Sequence, residues 1–125
     1  MTSGLILALL FSAQSAPLLV SPQADPAERT DAAFAQLEAG ETDAAIAQLE
    51  AELERNPGHP VLLINLGTAY SRAGRTDDAR EAYRDAIAAR ERYELELADG
   101  SWEDSRDAAR IALRSLEQRT AFAVK

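Results

Sequence analysis

The sequence predicts an all-α fold: a short array of two helical hairpins closed by a C-terminal capping helix. Three observations carry this. Alanine makes up about a fifth of the 125 residues, while glycine and β-branched residues are few, a composition suited to closely packed helices. Apolar residues recur at helical spacing in successive segments broken by glycine or proline. Two of those segments repeat at an offset of 34 residues, the period of stacked helix pairs.

The N-terminal stretch stands apart. Leu5 to Phe11 is an uncharged apolar run followed by the small residues Ser12, Ala13, Ser15 and Ala16, the layout of a short secretory signal over 1–15. It is too short for an ordinary transmembrane helix. No Lys or Arg precedes the run, and no cysteine follows it to carry a lipid anchor. The expectation is export to the periplasm or beyond. The alternatives are an N-terminal helix docked on the domain, or a mis-assigned start, with a cytoplasmic location. Residues 16–26, with Pro17, Pro22 and Pro26, read as a linker.

Four amphipathic segments follow. The first runs from Ala27 to Ala39 and stops at Gly40. The second starts after Thr42-Asp43, carries Ala45, Ile46, Leu49 and Leu53, and ends at Asn56-Pro57-Gly58, since proline and glycine extend a helix only at a cost. The third opens near Pro60, carries Leu63, Leu66, Gly67 and Tyr70, and ends at Gly74. The fourth, after Thr76-Asp77, carries Ala79, Tyr83, Ala86 and Ile87. Asp43 and Asp77 suit the positive end of a helix dipole. Residues 92–100 break the pattern: 93–97 alternate strictly and Asp99-Gly100 is a turn pair, although a longer fourth helix competes with an extended reading. The capping helix is expected over 101–119, with Ser101 at its start and Trp102, Ala109, Ala112, Leu113 and Leu116 on its apolar side. Residues 120–125 are left as a tail.

The repeat is specific in residue type. Gly40/Gly74, Asp43/Asp77, Ala45/Ala79, Leu49/Tyr83 and Leu53/Ile87 are each 34 residues apart. Leu63-x-x-Leu66-Gly67-x-x-Tyr70, Gly74, Ala79-x-x-x-Tyr83 and Ala86 together resemble the tetratricopeptide repeat signature, with Leu63 in place of its usual tryptophan. The resemblance covers two units over 27–91. In the first helix of the first unit the pattern is weaker. Where the pattern asks for a large residue, Leu-Gly and Tyr, this chain has Arg29, Ala32-Ala33 and Gln36, and Phe34 and Leu37 carry the bulk.

Catalytic signatures are absent from the sequence. There is no cysteine, and the one histidine, His59, lies in a proline-flanked loop, where a turn role is the simpler reading. No His or Cys pair is spaced for zinc, no Gly-x-Ser-x-Gly turn presents a nucleophile, and no glycine-rich phosphate loop occurs. No catalysis and no cofactor are therefore expected. Glu50, Glu52 and Glu54 read as solvated. The net charge of −8 argues against nucleic acid, and 46% hydrophobic residues argue against a disordered acidic tail. Acidity is concentrated between Ser21 and Gly58, where nine acids face two arginines; from His59 onward twelve acids face eleven bases. That asymmetry serves solubility or steers a cationic partner.

The resemblance implies a protein or peptide partner. In the family's layout the first helices of each pair line a concave face, which places Phe34 and Leu37, then Val61, Ile64, Asn65, Thr68 and Arg72, in the groove. The same residues could instead be covered by the terminal segments or belong to the core. The family's clamp for acidic chaperone tails uses lysine, arginine and asparagine there. Thr30 and Phe34 occupy two of those places and only Asn65 agrees, so that specificity is not expected. The other reading is a homo-oligomeric adaptor whose groove is filled by a second copy.

Overall fold

The computed structural model describes residue 33 and residues 35–96 and 99–123. The expected leader, the linker, most of the first helix, Phe34 and Leu97 lie outside the described residues. The chain order is α1 (helical at 33 and 35–38), α2 (Thr42–Arg55), α3 (Pro60–Arg72), α4 (Thr76–Ala88), β1 (Glu94–Glu96), β2 (Trp102–Asp104) and α5 (Ser105–Ala123).

The 34-residue repeat is visible in the backbone hydrogen bonds. At the end of α1, Gly40 has φ +79°, and the N–H groups of Gly40 and Glu41 donate to Leu37 and Gln36 at 3.1 and 2.9 Å. At the end of α3, Gly74 has φ +76°, and Gly74 and Arg75 donate to Ser71 and Tyr70 at 3.1 and 2.8 Å. Both are Schellman turns, in which a left-handed residue just past the helix lets two otherwise orphaned carbonyls be satisfied. Glycine adopts that conformation without a Cβ clash. Between the hairpins, α2 ends where the Asn56 amide caps the Glu52 carbonyl at 3.2 Å. Pro60 then opens α3 at a position that needs no N–H.

The core follows the repeat. Ala33, Leu37, Ala45, Ile46, Leu49, Leu62, Leu66 and Ala69 form one cluster joining α1, α2 and α3. Two smaller clusters, Leu63 with Ala86 and Ala109, and Ala79 with Tyr83 and Leu116, join α3 and α4 to α5. Ala33, 34 residues before Gly67, is fully buried, so the small-residue position is kept in the first unit. The hairpin seam is tightest at Gly67. A Cβ built there would lie 2.6 Å from Cε1 of the Tyr83 ring.

Three expectations are corrected. The C-terminal helix starts at Ser105 rather than Ser101 and continues through Ala123. Residues 102–104 instead pair antiparallel with 94–96, Leu95 opposite Glu103, and Trp102 is 63% exposed rather than part of the helix's apolar side. The physical cause is the cap. Asp104 Oδ1 accepts the Arg106 N–H at 2.8 Å and so serves as N-cap, while the Ser101 hydroxyl donates to Asp99 at 2.6 Å. Finally, Glu52 is buried rather than solvated, with Arg55 Nη1 3.0 Å from its carboxylate.

Candidate interaction surface

Helix α3 is buried on most sides, and its remaining face is a strip. Val61, Asn65, Thr68 and Arg72 recur at i, i+4, i+7 and i+11, one side of a helix; the first three are half-buried and Arg72 is exposed. On one flank, Leu62 and Ala69 pack toward α1 and α2. On the other, Ile64 packs against both clusters that include α5. Polar contacts tie the edges: Arg72 Nη2 pairs with Glu38 of α1 at 3.1 Å, and Arg119 of α5 donates to Ser71 at 3.3 Å. The strip is therefore framed by α1 and α5.

Not every residue expected in the groove lies on this strip. Leu37 is 3% exposed and belongs to the core. Ile64 lies in the α3–α5 seam, because the C-terminal helix covers that side. Phe34 lies outside the described residues. Thr68 borders the strip, but its hydroxyl is engaged, bonding the Ile64 carbonyl at 3.1 Å and the Tyr83 hydroxyl at 3.0 Å. Burial raises the Tyr83 pKa by disfavouring the phenolate, an effect that outweighs the Thr68 bond and the charges of Arg119 and Arg72. The accessible part of the strip is Val61, Asn65 and Arg72. The Asn65 amide has no partner among the described residues, which leaves it able to bond a peptide backbone.

Two features were not read from sequence. Ile111 and Phe122, 48% and 74% exposed, sit at i and i+11 of α5, so one stripe of the capping helix carries apolar groups into solvent. His59 does more than turn the chain. Its ring stacks on Tyr93 with centroids 4.8 Å apart and planes 17° from parallel, and its Nδ1 is buried without a partner. Burial lowers its pKa, an effect that the nearby Glu91 charge only partly opposes. Neither contact is local in sequence.

Among the described residues no group of three or more His, Cys, Asp or Glu side chains is arranged to hold a metal ion. No described helix is long and apolar enough to cross a membrane. The family model described as tetratricopeptide repeat matches residues 24–94. No curated protein and no solved structure matches the chain.

Proposed function

Because the chain belongs to the tetratricopeptide repeat family, whose domains are protein–protein interaction modules, we propose that it binds a peptide or protein partner on its concave face without catalysis. The observation that carries this reading is the strip of Val61, Asn65 and Arg72 between α1 and α5. An apolar group, an uncommitted amide and a guanidinium lie in line there, spaced by whole helical turns. A partner segment laid along α3 gains a buried apolar contact from Val61 and backbone hydrogen bonds from Asn65. The Leu5–Phe11 run supports a periplasmic site of action, with the mature chain starting near Ala16. A photo-crosslinking residue at position 65, compared with one at Glu81 on the far side of α4, tests the binding face in cells. A discrete adduct from position 65 alone is the expected result, and equal adducts from both positions overturn it.

A second reading is favoured by Ile111 and Phe122. A capping helix normally turns a polar face outward, and two exposed apolar residues on one stripe suit a second copy. Light scattering on the parent and on Phe122→Ser separates the readings. A parent dimer that the substitution dissociates supports self-association, and a parent monomer rejects it.

A further inference from the structure

The backbones of helices α2 and α4 stand apart, and between them, on the side of α3 away from the strip, lies an open cleft. Its floor is apolar: Leu53 of α2 and Leu63 and Leu66 of α3. The 56–59 loop closes one end, where the stacked His59 and Tyr93 rings form an aromatic wall. Its rim is acidic. Glu50 and Glu54 line the α2 side, Asp85 and Glu91 the α4 side, and Arg90 is the one Lys or Arg among the lining residues. Two of these carboxylates are engaged within the protein, Glu50 by the Tyr70 hydroxyl and Glu91 by the Tyr93 hydroxyl, each at 2.6 Å. Glu54 and Asp85 have no partner among the described residues, and they stand on opposite walls.

From this arrangement we infer that the cleft is a second docking site, for a partner segment in which an apolar side chain is flanked by arginine or lysine. The apolar group packs on the half-buried Leu53, above the buried Leu63 and Leu66. Each flanking cation reaches one free carboxylate, Glu54 on one wall and Asp85 on the other. The aromatic wall adds a surface on which an arginine stacks favourably. Charge complementarity selects this occupant, since an acidic segment would meet four carboxylates across an apolar floor.

The test uses a fluorescein-labelled nonapeptide of alternating leucine and arginine, with a leucine–glutamate peptide for comparison, read by fluorescence anisotropy on the full chain. Binding of the basic peptide alone is expected. The double variant Glu54→Gln, Asp85→Asn should weaken it about fivefold, the scale of losing two partly screened ion pairs. A control, Glu41→Gln with Asp43→Asn, removes the same charge from the other end of α2 and should leave affinity unchanged. So should Asn65→Ala on the concave strip. An equal loss in the Glu41/Asp43 control reduces the effect to overall charge and overturns the proposal. A loss in Asn65→Ala moves the peptide to the concave face and also overturns it. If the free protein is a dimer that the Glu54/Asp85 variant dissociates, a second copy fills the cleft and the proposed occupant is wrong.

Discussion

Gly67→Ala decides by sign whether the hairpin seam is as close as its geometry indicates. Gly67 lies in the middle of α3, where replacing glycine by alanine ordinarily stabilises a helix by about 1 kcal/mol. Here the added Cβ would sit 2.6, 2.7 and 3.0 Å from three carbons of the Tyr83 ring. Ordinary carbon–carbon contact is about 3.5–4.0 Å, so roughly 1 Å of separation must be found. The ring cannot supply it cheaply. Tyr83 is 2% exposed, packed with Ala79 and Leu116, and held at its hydroxyl by Thr68 at 3.0 Å.

Overpacking of this kind costs about 1–3 kcal/mol. A clash with an immobile ring belongs toward the upper end, so after the helix gain the net loss is about 1–2 kcal/mol. For a domain of this size that lowers Tm by about 4–15 °C. Thermal and urea melts followed by far-UV circular dichroism provide the assay. A melting temperature that rises would refute the close contact. A double-mutant cycle with Tyr83→Leu isolates the clash: without the ring, Gly67→Ala should become neutral or stabilising, a coupling of about 1–3 kcal/mol.

Two further outcomes follow from the hairpin and the loop. Asp104→Ala should cost about 1 kcal/mol by removing the cap on the Arg106 N–H, and Asp104→Asn, which keeps the cap and loses only the partly exposed ion pair with Arg92, should restore most of it in urea melts. His59 carries a pH dependence. Its folded pKa lies below the unfolded value of 6.5, so the unfolded chain binds the proton more readily. The stabilisation from keeping His59 neutral is complete above the unfolded pKa and is lost as pH falls through 6.5 toward the folded value. Tm should therefore drop between about pH 7.5 and 5.5 in the parent, and drop less in His59→Phe, which keeps the stack without the titration. An NMR titration placing the His59 pKa at or above 6.5 would contradict this.

The helical scaffold was legible because its signals are local. Gly40 and Gly74 end helices through bonds made within six residues, and the 34-residue offset repeats them. Gly67 marks the close seam in the repeat pattern, and the structure sets it against the Tyr83 ring. The hairpin was half legible. Alternation at 93–97 and the Asp99-Gly100 turn marked β1, but a turn of that type calls for a returning strand. Ser101 imitated a helix cap and masked β2. The groove was read least well, because the family's layout places Leu37, Ile64 and Asn65 on the concave face without saying what packs beside them in this chain. In the fold, Ile64 is taken by α5 and Leu37 by the first cluster, both through contacts distant in sequence.

Helix α3 connects the two proposed surfaces, and that makes their effects separable. Its strip of Val61, Asn65 and Arg72 faces one side, while Leu63 and Leu66 floor the cleft on the other. Both faces depend on the same seam at Gly67, where α3 is pressed against α4. A change that displaces α4, such as Gly67→Ala, widens the cleft and also moves α5, which frames the strip. It should weaken occupants of both sites together. Changes at Glu54 and Asp85 act on one face without touching the seam, and Asn65→Ala acts on the other. A partner bridging both faces would respond to either set with losses that add, because the sites share no side chain. A partner confined to one face would respond to one set only.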